Sequence, residues 1–330
     1  MLQRAAQFLV LAGACLAIAG AVNAQQPGGN VVMYTSNNAE AVQTVTDVAK
    51  KQLPQVKIGT VTGGSATLLK RIEAEAAAPQ ADVFWSSSPN TLGAFKAQFA
   101  AYESPEGKAV PKDLHGPGNL WTACNIHVVV MMVNRNQLGG LPEPKTWKDL
   151  LDPRWKGKII VADPSASSTA YTVLWGAGKL LGPEGLKTLA KSVVVSRNAS
   201  AVLKSVAQGE YAIGLTFESN AYAYVAGGQK EIKLVYPSDG TFVTEESVVL
   251  VKNAPNAAAA RRLYDLLLAK DTQVALLESA FRRPSRSDID VSKYVALPDL
   301  KSIKVFPVDD QEAQDKRTEF LAQWQVLQAN

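Results

Sequence analysis

Apolar positions along the chain alternate between short, nearly continuous runs and longer stretches with helical spacing. Residues 31–34 form such a run and predict a buried strand, followed by the polar turn Thr35-Ser36-Asn37-Asn38. Over residues 39–53 the apolar positions Val42, Val45 and Ala49 share one helical face. The cycle then repeats. Residues 55–61 predict a second strand, and Gly63-Gly64-Ser65 opens a helix that carries Leu68, Leu69 and Ile72. Residues 82–85 predict a third strand ending in Ser86-Ser87-Ser88-Pro89, with residues 92–98 helical again. Strands alternating with helices predict an α/β architecture with a largely parallel sheet. Ligands of such sheets bind beyond the carboxyl ends of the strands. Three consecutive strand ends here carry small hydroxyl or amide turns, which predicts one wall of a binding cleft.

Two longer extended runs, residues 126–133 and 247–251, bracket a middle segment of the same α/β kind. Inside it, Pro142 and Pro144 punctuate residues 141–151, where Thr146 and Asp149 resemble a capping box. Residues 212–216 and 232–236 predict strands, the second closed by the turn Pro237-Ser238-Asp239-Gly240. This layout predicts a discontinuous first lobe (residues 25–130 plus 247–330), a second lobe (131–246) and two crossing strands between them. Residues 256–269 and 272–281 predict helices of the first lobe. Residues 311–328 predict an amphipathic docking helix with Phe320, Leu321 and Trp324 on its apolar side.

One stretch concentrates hydroxyl groups. The apolar run 159–162 is followed by D-P-S-A-S-S-T-A-Y (163–171) and then by an apolar helical segment, so Ser165, Ser167, Ser168, Thr169 and Tyr171 gather where a strand hands over to a helix. Taken alone, this is an ordinary helix cap. Facing a cleft, the free N–H groups and partial positive charge of a helix start would hold an anion.

Composition narrows the class. A chain of 330 residues accommodates two domains, and 47% hydrophobic with 19% charged residues suits a folded globular protein. A net charge of +4 without a Lys/Arg block does not point to nucleic acid. Residues 1–24 have the pattern of a secretory signal peptide: Arg4, an apolar core over 8–21, and Val22-Asn23-Ala24 at the cleavage position. The expectation is a periplasmic protein cleaved near Ala24. Lipidation at Cys15 fits less well, because the apolar core would be cut short. Cys124 is then the remaining cysteine, so no internal disulfide is expected. The chain has two histidines, His115 in a Gly/Pro-rich loop and His127 in an apolar run, and both read as structural. Without a nucleophile–base motif, a P-loop or a zinc pattern, an enzyme is not expected.

The motifs L-P-E-P-K-T-W-K-D-L-L-D-P-R-W-K-G-K-I (141–159) and A-D-P-S-A-S-S-T-A-Y (162–171) resemble those of periplasmic substrate-binding proteins of ABC importers. A-D-V-F-W-S-S-S-P (81–89), G-L-T-F-E (214–218) and E-S-V-V-L-V-K-N-A-P-N (246–256) fit the same family. Within it the chain is similar to the branch that binds ferric iron, thiamine, sugar phosphates and 2-aminoethylphosphonate. The resemblance implies a two-lobed type II binding-protein fold whose interlobe cleft closes on a solute, an ABC permease as partner, a monomer and no cofactor. It also implies that Ser168, Thr169 and Ala170 occupy the place where iron-binding relatives hold an anion. Those relatives present an adjacent tyrosine pair. Here Ala223 separates Tyr222 from Tyr224, which turns them about 200° apart on a helix. The implied ligand is therefore a small organic phosphate or phosphonate, 2-aminoethylphosphonate or a sugar phosphate. Thr35, Ser36, Asn37, Ser65 and Ser87 would donate from the first lobe, and Glu218 and Asp239 would take the far end of the ligand. The alternative is ferric iron held by Tyr222, Tyr224 and Glu218.

Overall fold

The computed structural model describes residues 29–329. The expected signal peptide, its cleavage position and Cys15 lie outside the described residues. The first α/β run is β1 (Gly29–Thr35), α1 (Ala39–Gln52), β2 (Val56–Thr62), α2 (Ser65–Ala74), β3 (Val83–Trp85) and α3 (Pro89–Leu92). A two-residue β4 (Phe99–Ala100) and the long β5 (Thr122–Asn134) follow. The middle segment holds β6 (Ile159–Ala162), α4 (Ser168–Ser192), β7 (Val193–Ser196), α5 (Ala199–Ala207), β8 (Ile213–Phe217), α6 (Glu218–Ala226) and β9 (Ile232–Val235). The chain returns through β10 (Val243–Val251), α7 (Ala257–Leu268), α8 (Lys270–Ala280) and β11 (Arg283–Pro284), then ends in α9 (Asp310–Asp315) and α10 (Arg317–Ala329).

The strands run in the order β2-β1-β3-β10-β5-β8-β6-β7. β1 is parallel to β2 and β3, and β6 is parallel to β7 and β8. β5 joins the two halves by changing partner along its length. Thr122 through Val128 pair antiparallel with β10, whereas Val129 through Val133 pair with β8. Its buried run is therefore covered from both sides, as a strand shared by two lobes requires.

Local signals explain most elements. The Asn38 side chain caps α1 by accepting from the Ala41 N–H at 3.1 Å, while Lys50 and Lys51 complement the other end of the helix dipole. α4 contains a break at Gly182 (φ 72°, ψ 177°), and Pro183 then starts a second helical segment, a position it tolerates well. The reciprocal pair expected at Thr146 and Asp149 forms: Asp149 Oδ2 accepts from the Thr146 N–H at 2.9 Å, and Thr146 Oγ1 accepts from the Asp149 N–H at 3.2 Å.

In the first lobe α1, α7 and α8 cover one face of the sheet around Val45, Leu263 and Leu276, and α2 with Leu92 covers the other. The second lobe has its own core around Met131, Trp147, Leu174 and Ile213. The tail departs from the expected lobe boundaries. Phe320, Trp324 and Ala313 join the core of the second lobe rather than completing the first, and α9 additionally contacts α3 of the first. The amphipathic pattern marked a docking helix, but its docking surface, α4, lies far away in sequence. Trp324→Ala should lower the free energy of unfolding by about 3–5 kcal/mol in urea titration. A change under about 1 kcal/mol would mean that the tail does not belong to that core.

Candidate functional site

A cavity of about 750 Å³ lies between the lobes, bounded by strand ends and helix starts from both. Five helices begin at it: α1 at Asn38 and Ala39, α2 at Gly64 and Ser65, α4 at Ser167 to Thr169, α5 at Asn198 to Ser200, and α6 at Phe217. The geometry follows from the parallel order of each half-sheet, which brings the carboxyl ends of β1, β2, β3, β6, β7 and β8 to one edge. Helix starts carry unpaired N–H groups and a partial positive charge. No side chain caps α2 or α6, whose first-turn donors face this region.

The floor is a buried charged network on the crossing strands. Phe281 adopts a left-handed conformation (φ 57°) at the end of α8 and turns the chain so that Arg282 and Arg283 point inward. Arg282 donates through Nη1 to Glu246 Oε2 at 2.9 Å, and the same nitrogen lies 3.4 Å from His127 Nε2. Arg283 grips Glu218 with two bonds, Nε to Oε2 at 2.6 Å and Nη2 to Oε1 at 2.9 Å, and Tyr236 donates to Glu218 Oε1 at 2.6 Å. Burial alone would raise the Glu246 carboxyl, but the Arg282 guanidinium and His127 hold it below the usual range. Burial pushes His127 down, which favours the neutral imidazole. That ring stacks on Phe217 at 4.4 Å between centroids. His127 and Phe217 both border the cavity.

Ser36, Asn37, Ser65, Ser87, Ser168 and Thr169 all border the cavity. Ser87 has φ 77°, a conformation that strains a non-glycine residue by about 1–3 kcal/mol, and its buried Oγ has no partner among the described residues. Four expected ligand residues lie elsewhere. Thr35 is buried one step short of the cavity, donating to the Trp85 carbonyl at 2.6 Å. Ala170 is buried, and its N–H goes to the cap residue Ser167 at 3.3 Å. Glu218 is fully engaged by Arg283 and Tyr236. Asp239 accepts from the Trp147 N–H through both oxygens, at 3.1 and 3.0 Å, and so fixes a turn. The alternative metal ligands are also displaced: Tyr222 packs edge-on against Phe281, and neither it nor Tyr224 borders the cavity. Among the described residues no group of three or more His, Cys, Asp or Glu is placed to hold a metal ion.

The lobes touch across the cavity mouth. Ser65 Oγ accepts from the Ser168 N–H at 3.0 Å, and Asn90 Nδ2 donates to Thr172 Oγ1 at 3.2 Å. A Cβ on Gly64 would meet the Ala166 carbonyl oxygen at 2.7 Å, so this approach requires glycine. One of the α4 donors expected for the anion is thus taken up by the facing lobe.

Sequence reasoning missed the basic residues. Arg197, just before α5, and Lys204, in its last turn, stand exposed on the cavity rim, with no hydrogen-bond or ion-pair partner among the described residues. Arg282 is 4% exposed; its Nη1 is taken by Glu246 and its Nε is sealed from solvent, which leaves Nη2 for the cavity. Arg197-Asn198-Ala199-Ser200 could have been found by the strand-end rule that singled out the first-lobe turns. Nothing local marks Arg282.

Residues 78–315 match the model of the bacterial extracellular solute-binding protein family. The chain belongs to that family. It is 30% identical over 284 residues to an uncharacterized protein of Haemophilus influenzae, covering 80% of this chain and 79% of that one. It is 26% identical to iron uptake protein A1 of Synechocystis (73% and 72% covered). It is 23% identical to a periplasmic protein of Salmonella typhi named for 2-aminoethylphosphonate binding (72% of each). The solved structure of the periplasmic binding protein AfuA from Actinobacillus pleuropneumoniae, with fructose-6-phosphate bound, superposes with a TM-score of 0.82 at 25% identity, covering 89% of this chain and 97% of that one. The fold is the two-lobed binding-protein fold, and the protein is a solute-binding transport component rather than an enzyme.

Two carboxyls near the cavity hold protons unusually well. Burial and the neighbouring Asp310 push Glu245, which borders the cavity, up to about 8, and burial raises Asp310 to about 6. Both exceed the value near 4 of an unfolded chain, so the native state holds more protons and stability falls as pH rises from about 4 to about 8. The melting temperature should drop between about pH 5 and about pH 8, and less so in Glu245→Gln. An identical drop in that variant would show that Glu245 ionises normally.

Proposed function

We propose that the protein captures a small organic anion bearing a phosphate or phosphonate group in the periplasm and delivers it, as a monomer, to an ABC permease. The carrying observation is the convergence of five helix starts with Arg197, Lys204 and Arg282 on one interlobe cavity. Backbone N–H groups, hydroxyls and guanidinium groups are the donors that recognise phosphate oxygens. A cavity of about 750 Å³ suits an organic solute, since small-molecule pockets run from about 300 to 1,000 Å³. Ser168, Thr169 and the N–H of Thr169 anchor the anion from the second lobe, with Ser36, Asn37, Ser65 and Ser87 opposite. Arg197 at the rim steers it inward.

Similarity to an iron uptake protein favours ferric iron as a second reading. Ferric iron prefers hard anionic oxygen ligands. The cavity lining contains no tyrosine, and its two carboxylates are Glu246, committed to Arg282, and Glu245.

A thermal-shift panel of phosphonates and sugar phosphates tests the first reading. A true ligand at a hundred times its dissociation constant should stabilise the protein by about 2.7 kcal/mol. Arg197→Ala should weaken its binding by about 10- to 100-fold, the worth of a hydrogen bond to a charged group. No shift with any phosphorus compound, or visible tyrosinate absorbance on adding one equivalent of ferric iron, would overturn the proposal.

A further inference from the structure

We infer that Glu245 recognises a cationic group, so that the captured solute is zwitterionic, with an ammonium at the end opposite its phosphate or phosphonate. The inference rests on the anion reading above and narrows it. Glu245 leaves β10 at the cavity floor and is half-buried. Among the described residues no Lys, Arg or His pairs with its carboxyl, and the sole hydrogen bond it is offered comes from its own backbone N–H. The charges that act on it are those of Asp310 and Asp113, both negative. Asp310 is tied to the cavity wall: it accepts from Asn90 Nδ2 at 3.2 Å, and Asn90 Oδ1 accepts from Ser88 Oγ at 2.7 Å. Ser88 and Glu245 line the same cavity. One part of the binding space is therefore acidic and lacks a cation.

A separate observation supplies the opposite pole. Arg282 is 4% exposed, its Nη1 serves Glu246, and among the described residues its Nη2 has no hydrogen-bond partner. A purely anionic solute would satisfy Arg282 and the helix starts but would leave the Glu245 carboxyl without a partner. An ammonium group would give that carboxyl the partner the protein withholds, and would offset Asp310 as well. One cavity holding an unpaired guanidinium nitrogen and an unpaired carboxyl matches a dipolar solute.

Matched ligand pairs read this directly by titration calorimetry on the mature protein: 2-aminoethylphosphonate against ethylphosphonate, and glucosamine 6-phosphate against glucose 6-phosphate. In at least one pair the amine should bind tenfold or more tightly, and in Glu245→Gln that ratio should collapse towards one. Unchanged circular dichroism of the variant shows that it is folded. Equal affinities within each pair, or an amine preference that survives in Glu245→Gln, would overturn the inference and leave the anion reading standing. Failure of all four compounds to bind would overturn the anion reading itself and this inference with it.

Discussion

The two ion pairs at the strand crossing set the frame for everything else in the cleft. Arg283 reaches from the first lobe to Glu218 at the start of α6 in the second, while Arg282 bonds Glu246 on one crossing strand beside His127 on the other. Buried ions are expensive to desolvate, and breaking such a pair costs about 3–5 kcal/mol because a charge is left alone. A bidentate guanidinium–carboxylate contact also has little angular freedom. The crossing strands and the first turn of α6 are thereby tied together at this point. The five helix starts are then presented to the cavity in a fixed relation to the floor.

That network also explains which carboxylates serve the cleft. Glu218 and Asp239 sit at turns, where a sequence reading makes them look available. Their partners, Arg283 and the Trp147 N–H, lie 65 and 92 residues away. Ion pairing over such a distance leaves no periodic trace. Glu245 lies just ahead of the extended run 247–251, and nothing local in the sequence marks it as bordering the cleft. By contrast, the alternation of strands and helices, the crossing strands and the hydroxyl-rich turns are local patterns, and each was legible. The tail lies between these cases. Phe320 and Trp324 announced an apolar face, but which lobe it covers depends on α4, about 150 residues earlier in the chain.

The hydroxyl-rich stretch at the start of α4 has a second partner in the folded protein. It meets the first lobe through Ser65 as well as bordering the cavity. Arg197, Lys204 and Arg282 bring formal positive charge to the same cavity, in addition to the partial charge of this helix start. A donor set rich in N–H and O–H groups, with a single unpaired carboxyl, distinguishes this cleft from one built to coordinate a metal.

The most direct test is the chemical identity of what the protein carries from the cell. Material released by denaturing protein purified natively from periplasm can be analysed for phosphorus and iron and identified by mass spectrometry. The account predicts a small organic compound with one phosphorus atom, near one equivalent per protein, and little iron. Stoichiometric iron without phosphorus would contradict it.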